Sequence, residues 1–223
     1  MFSLQSFYNQ YETDPTEITL AGRKFTILLP RYLYDFINPW DVLHEFPLWA
    51  KVWKASWILA GYLAEKPVET DKQFLEIGGG LGLVSIVACS FGHRITMTEY
   101  NPDALRFARA NAHLNHCPQL SILELNWSQP KLKGKFDYIV ASEVIYKKDD
   151  FAALLKLFQT YLKPDGEIIL ASEMRKTSGE FYKYLQPLFC IETVKKVLRS
   201  ENEKTLVTLF KLKFKSKGWR KVG

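Results

Sequence analysis

The sequence predicts an α/β fold: a doubly wound, seven-stranded and mostly parallel sheet that ends in an antiparallel hairpin and is preceded by an N-terminal extension. Three observations carry this expectation. Apolar strand-like runs alternate with amphipathic helical runs through the middle of the chain. A glycine-rich turn, Gly78-Gly79-Gly80-Leu81-Gly82, joins the first of those strands to an apolar helix. Residues 191–198 and 204–213, separated by Ser200-Glu201-Asn202-Glu203, read as a closing antiparallel pair.

Taken in order, residues up to about Pro15 are polar and aromatic without a clear period. Residues 17–20 and 23–29 read as short strands of a hairpin turning at Ala21-Gly22. Residues 31–46, aromatic-rich and interrupted by Pro39, read as an irregular connector or lid. A helix is expected over 55–65, where Trp57, Ile58, Ala60, Leu63 and Ala64 recur at helical spacing, and Pro67 ends it. Phe74-Leu75-Glu76-Ile77 is the first sheet strand, and the helix after the glycine turn begins near Leu83. Residues 94–99 form the second strand, followed by a helix over 104–115 with Asp103 serving its N-terminus. Residues 120–125 and 136–141 are the third and fourth strands. A helix over 149–162 gathers Phe151, Leu154, Leu155, Phe158 and Leu162 on one face. Lys163-Pro164-Asp165-Gly166 reads as a turn, 167–172 as the fifth strand and 180–188 as a helix.

The 223 residues suffice for one domain with a sizeable core, and 47% hydrophobic with 24% charged residues is ordinary for a soluble globular chain. No apolar run reaches the roughly 18 residues of a membrane span, and the first residues carry no secretory pattern. Cys89, Cys117 and Cys190 are odd in number and scattered, without C-x-x-C or a histidine at ligand spacing. Reduced thiols, a cytoplasmic location and no metal site are therefore expected. The net charge of +6 fits nucleic acid, an acidic partner surface or solubility alone, and much of it lies at Lys211, Lys213, Lys215, Lys217, Arg220 and Lys221.

The crevice of such a sheet lies beyond the carboxyl ends of its strands. Those ends present Gly78 to Gly82, Glu99, Asn126-Trp127 and Ala141-Ser142-Glu143. A dinucleotide fingerprint needs a third glycine at position 83, where this chain has Leu83. The glycines instead fall at every second position, Gly78, Gly80 and Gly82, behind the strand carboxylate Glu76, which suits a cationic ligand better than a pyrophosphate. Glu99, 17 residues past Gly82, stands where a ribose-binding carboxylate is expected. Trp49 and Trp53 precede the helix leading to the first strand and can reach the same crevice.

Glu76-Ile77-Gly78-Gly79-Gly80-Leu81-Gly82 resembles the first motif of the class I, Rossmann-like methyltransferases. That resemblance implies S-adenosyl-L-methionine as cofactor, held by Trp53, Glu76, Gly78, Gly80, Gly82, Glu99, Asn126, Trp127, Ala141 and Ser142, with Asn126 at the adenine edge and Trp127 over its face. After the fourth strand, amino-methylating nucleic-acid enzymes carry N-P-P-Y or D-P-P-Y, and this chain has Ser142-Glu143-Val144-Ile145-Tyr146. Cytosine-C5 enzymes need a cysteine, commonly after proline, and the one cysteine beside a proline here, Cys117, has the opposite order. Ser142-to-Tyr146 is instead similar to the D-x-x-Y segment of methyltransferase family 16, a family of protein methyltransferases. Pro47-Leu48-Trp49-Ala50-Lys51-Val52-Trp53 is similar to the P-F-W-A-x-x-W segment of its electron-transfer-flavoprotein β-subunit lysine methyltransferase branch. Leu125-Asn126-Trp127 and Ser172-Glu173-Met174-Arg175 match weaker features, and the resemblance spans roughly residues 46–198. It implies a protein substrate, lysine as acceptor, Glu143 and Tyr146 flanking its entry, and a methyltransferase domain at 47–223 behind an extension or lid at 1–46. The departure is Glu143, where aspartate is commoner. An RNA or small-molecule methyltransferase on the same core, or a cofactor-binding module, are the alternative readings.

Overall fold

The computed structural model describes residues 2–37, 46–200 and 203–215. A short helix α1 (Leu4–Tyr8) and an antiparallel ribbon of β1 (Thr13–Leu20) and β2 (Arg23–Pro30) precede the main sheet. The ribbon is longer at its start than residues 17–20 imply, and it turns at Ala21 and Gly22, both left-handed at φ 46° and 78°, as a two-residue hairpin requires. The sequence contains no apolar period for α1 because the helix is only five residues long; the Ser3 hydroxyl caps it by accepting from the Ser6 amide. Half of the expected connector or lid, residues 38–45, lies outside the described residues, as does the basic stretch beyond residue 215; Leu33–Phe36 before it forms a 3-10 turn.

The main body follows the expected alternation: α2 (Lys54–Glu65), β3 (Gln73–Ile77), α3 (Leu83–Ser90), β4 (Arg94–Glu99), α4 (Pro102–Leu114), β5 (Ser121–Glu124), β6 (Phe136–Ser142), α5 (Phe151–Tyr161), β7 (Leu162–Glu173), α6 (Lys176–Leu185), β8 (Phe189–Ser200) and β9 (Glu203–Phe214). The sheet runs β5-β4-β3-β6-β7-β9-β8. Strands β3 to β7 are parallel, and β9 lies antiparallel between β7 and β8. The winding reverses direction at β3, which pairs with β4 on one side and β6 on the other. That reversal opens a crevice at the carboxyl ends of those strands.

Alternation along β3 divides the core. Phe74 packs on the side of α2, α3, α4 and the ribbon, with Leu59, Ile86 and Phe107. Leu75 and Ile77 face α5 and α6, with Leu157, Phe158 and Phe181.

One local expectation is corrected and another is refined. The stretch Lys163-Pro164-Asp165-Gly166 is not a turn between elements but a bulge inside β7, where the register steps from Phe136↔Leu162 to Tyr138↔Glu167. There is no room for a side chain at Gly166, where a Cβ would lie 2.8 Å from the Asp137 carbonyl. Asp103 lies in the first turn of α4, as expected, but the cap itself is Asn101: its side-chain oxygen accepts from the Asp103 and Ala104 amides at 2.9 and 3.0 Å. The Asp103 carboxylate is left to accept from the Tyr11 hydroxyl at 2.6 Å, and burial beside that carboxylate pushes the Tyr11 pKa up to about 12.

The ribbon bears on the site through α4. Asn111, fully buried, accepts from the Leu28 amide at 2.8 Å and donates to the Leu81 carbonyl of the glycine turn at 2.9 Å. One side chain thus ties the N-terminal ribbon to the loop that faces the crevice.

Candidate active site

The glycine turn leaves β3 and enters α3 with Gly78 and Gly80 at φ 63° and 53°. A Cβ at Gly78 would lie 2.9 Å from Val144, and one at Gly80 would lie 3.3 Å from the Trp49 carbonyl. Both conformation and space therefore demand glycine. Glu99, at the end of β4, fastens this turn to the start of α4. Its Oε2 accepts from the Gly80 amide at 2.9 Å, and Oε1 accepts from the Tyr100 and Asn101 amides at 2.7 and 3.0 Å.

Above the turn lies a cleft of about 420 Å³, within the roughly 300–1,000 Å³ of small-molecule sites. Gly78 to Leu81 and Glu99 form part of its wall, Trp49 and Trp53 another part, and Asn126 and Trp127 a third. Trp53 is pinned by its ring N–H, which donates to the Leu48 carbonyl at 2.7 Å. Asn126 holds its own loop by accepting from the Ser128 amide at 2.9 Å, and Trp127 lies beside Gly78. The segment after β6 completes the lining with Ser142, Glu143 and Tyr146.

Glu143 is the unusual residue of that segment. It is a non-glycine at φ 48°, a conformation costing about 1–2 kcal/mol, and its carboxylate is buried. The strain is sustained by bonds on every side. Its amide donates to the Ala171 carbonyl at 3.0 Å, its Oε1 accepts from the Glu173 amide at 2.7 Å, and its Oε2 lies 3.4 Å from Arg175 Nη2. Burial raises the Glu143 pKa, while the Glu173 amide and the Arg175 charge pull it down. Burial also pushes the Tyr146 pKa up to about 12, and the Arg175 guanidinium stands 5.8 Å from the Tyr146 ring centre.

A family model described as lysine methyltransferase matches residues 47–187. The chain belongs to the lysine methyltransferase family. Among curated relatives, EEF1A lysine methyltransferase 3 of Xenopus tropicalis is 30% identical over 155 residues, covering 66% of this chain and 69% of that protein. Protein N-lysine methyltransferase METTL21A of Danio rerio is 32% identical over 155 residues, covering 65% and 70%. Among solved structures, precorrin-6y C5,15-methyltransferase of Geobacter metallireducens matches with a TM-score of 0.59 at 17% identity, over 82% of this chain and 95% of that one. Ribosomal protein L11 methylase of Lactobacillus delbrueckii subsp. bulgaricus matches at 0.55 and 20% identity, over 73% and 77%. At such identities the structures establish the fold.

This lysine methyltransferase is an S-adenosyl-L-methionine-dependent enzyme, and the cleft fits that cofactor. Its ionisable side chains include the acids Glu99, Glu143 and Asp150 against Lys51, a balance that favours a ligand carrying ammonium and sulfonium charges over a phosphate. The glycine turn supplies the close backbone approach. Among the described residues no cluster of His, Cys, Asp and Glu could hold a metal ion.

Three residues expected at the cofactor stand off the cleft wall. Gly82 caps α3 beneath the turn, against Ile86, Ala108 and Met97, and Ala141 is buried in β6 among the α5 and α6 side of the core. Glu76 points under the turn, where its Oε2 accepts from the Ser85 amide at 3.1 Å and from the Ser85 hydroxyl. The sequence pattern locates that carboxylate but not the direction of its side chain. Burial pushes its pKa up to about 7 from 4.5, against the lowering effect of both Ser85 bonds and with the charge of Glu99 adding to the rise. A carboxyl raised in this way stabilises the fold fully below pH 4.5, and that contribution is lost as pH rises through about 7. Glu76→Gln is therefore expected to lose less stability than wild type between pH 5 and pH 8, by up to about 3 kcal/mol. Parallel denaturant titrations at the two pH values check this; identical pH dependence would mean that the Glu76 pKa is not raised by folding.

Sequence reading missed other residues of the lining, among them Leu48, Lys51, Tyr100 and Asp150. Asp150 belongs to a single 3-10 turn, Lys148–Asp150, before α5, and carries no sequence signal beyond polarity. Arg175 was visible only as the end of Ser172-Glu173-Met174-Arg175.

Proposed function

We propose that the enzyme methylates a lysine side chain on the surface of a folded protein, with Glu143 and Tyr146 receiving the acceptor. The observation that supports this most directly is the strained, buried carboxylate of Glu143 beside the Tyr146 ring, in the same cleft as the glycine turn. Bound there, S-adenosyl-L-methionine supplies a methyl group activated by a sulfonium. Gly78, Gly80 and Glu99 shape its seat, with Trp53, Asn126, Trp127 and Ser142 around it. Burial of the incoming ammonium in the cleft favours the neutral amine, against the pull of the Glu143 carboxylate, and the proton it sheds passes to solvent before transfer. The Glu143 carboxylate accepts a hydrogen bond from the amine and so fixes the direction of its lone pair. The Tyr146 face steadies the cationic form before and after transfer, by about 0.5–2 kcal/mol. Alignment of this kind can supply roughly 7–11 kcal/mol of the barrier.

EEF1A, the target named for one relative, is the first substrate to test, and the net charge of +6 favours an acidic protein surface. We assign residues 47–223 to the catalytic domain and residues 1–46 to its extension. Three free cysteines fit a reducing compartment, the cytoplasm. Among the described residues no helix is long and apolar enough to cross a membrane.

Incubation of the protein with methyl-labelled cofactor and a lysate from cells lacking it tests the reading. Label should sit on lysine by mass spectrometry and vanish after protease treatment. Label that survives protease and vanishes with RNase would move the acceptor to RNA.

A further inference from the structure

Arg175 lies between β7 and α6 and is the capping residue of that helix. A cation at a helix N-terminus opposes the helix macrodipole, so the local structure gives no reason for arginine here. The reason lies in the segment after β6. Its guanidinium reaches 3.4 Å from the Glu143 carboxylate and 5.8 Å from the Tyr146 ring centre. The two partners differ sharply in exposure: the Glu143 side chain is 5% exposed and that of Arg175 is 41% exposed. The carboxylate is built in, held from behind by the Glu173 amide at 2.7 Å. The guanidinium comes to it from the solvent side. A buried carboxylate flanked by an aromatic face is a cation site, and this one is filled by the protein's own cation.

We propose that Arg175 is a specificity-determining residue: its guanidinium holds the acceptor's place between Glu143 and Tyr146 until the substrate lysine displaces it, and it favours lysines with a carboxylate beside them. This rests on the acceptor reading given above. An ammonium entering the site competes with Arg175 for both interactions, because two like charges brought to one buried carboxylate and one ring face repel each other. The displaced guanidinium is already part-exposed and swings outward, toward whatever carries the incoming lysine. There a carboxylate offers it a charge-assisted, bidentate replacement for Glu143. A lysine without such a neighbour leaves the guanidinium to water and competes with it less well. Arg175 thus discriminates by competing for the site, and the partner that relieves the competition is an Asp or Glu of the substrate.

The test uses the full chain as wild type, Arg175→Gln and Arg175→Lys, and has two arms. In the first, n-butylammonium, a lysine side-chain analogue, is titrated and followed by saturation-transfer NMR. Arg175→Gln should bind it at least fivefold more tightly than wild type, and the tightening should disappear in Glu143→Gln/Arg175→Gln. Equal binding by wild type and Arg175→Gln would overturn the proposal. This arm needs no methyl transfer, so a failure to methylate lysine with the binding difference intact would sink the acceptor reading alone. In the second arm, methylated lysines in the lysate are mapped for each variant. Wild type and Arg175→Lys should favour lysines with neighbouring Asp or Glu, and Arg175→Gln should lose that preference, with KM falling severalfold for acceptors lacking the acid. An unchanged preference, or a loss confined to kcat, would make Arg175 a support for Glu143 and overturn the proposal.

Discussion

Glu99→Ala is expected to weaken S-adenosyl-L-methionine binding by roughly 10- to 150-fold, about 1.5–3 kcal/mol. The sequence supports this on the expected ribose contact; the structure adds a second reason. Both carboxylate oxygens are already engaged by main-chain amides, those of Gly80, Tyr100 and Asn101. Alanine removes the acceptor from all three, two at the start of α4 and one in the glycine turn. The turn then loses the bond that holds it toward β4, so affinity falls through lost pre-organisation as well as through lost contact. Glu99→Gln separates the two. Its carboxamide oxygen serves one side, while its NH₂ faces N–H donors on the other, so an intermediate affinity is expected. Calorimetric titration of both variants with the cofactor is the measurement, with thermal unfolding to confirm that each is folded. Wild-type affinity in Glu99→Ala would remove Glu99 from the cofactor site.

Glu143→Gln is expected to lower the rate of protein methylation by about 100-fold or more while changing cofactor affinity less than threefold, on the scale of a positioned catalytic group. The amide oxygen of glutamine can still accept from the Glu173 amide, so the backbone of the segment keeps its support. What is lost is the charge that faces Arg175 and, in the proposed mechanism, the acceptor amine. Glu143→Asp is the complementary change. It restores the residue commoner in the family but retracts the carboxylate by one methylene from the Glu173 amide and from Arg175. Activity at or above wild type in the Asp variant would show that the role tolerates the departure. Full activity in the Gln variant would confine Glu143 to a structural part. Single-turnover assays with separately measured cofactor affinity distinguish these outcomes.

The order of the sheet and most helices were legible because their signals are long and periodic. Phe74 to Ile77, the glycines and the run of 94–99 leave few alternatives, and β4 occupies the very residues expected of it. What escaped were features decided by contacts across the chain. No local pattern marks the five-residue α1, whose Phe7 packs against Phe107 of α4. Asp103 resembles a cap in sequence, yet Asn101 reaches the amides first and Tyr11 claims the acid. Pro164-Asp165-Gly166 has turn chemistry, which the fold uses to bulge a strand without ending it. The loops at the strand ends line the cleft, but a position on a strand does not say where its side chain points. Hence Glu76 lies beneath the turn that it was expected to line, bound to Ser85, nine residues away. The placement of Arg175 over Tyr146 joins segments that the sequence keeps apart.

The position of β9 has a consequence for how the molecule is made. This strand lies between β7 and β8 although it is synthesised after both. It also belongs to both layers of the core, with Val207 and Leu209 on one face of the sheet and Phe210 and Leu212 on the other. On a ribosome adding about 5–20 residues per second, the strands that frame the cleft emerge well before it. Until residues 203–214 follow, β7 presents an unpaired edge over seven residues, from Glu167 to Glu173, that β9 later covers, open to chaperones and to strands of other chains. A nascent chain at residue 200 already contains every residue of the cleft, but its sheet is still split, with β8 lacking the one neighbour that joins it to the rest.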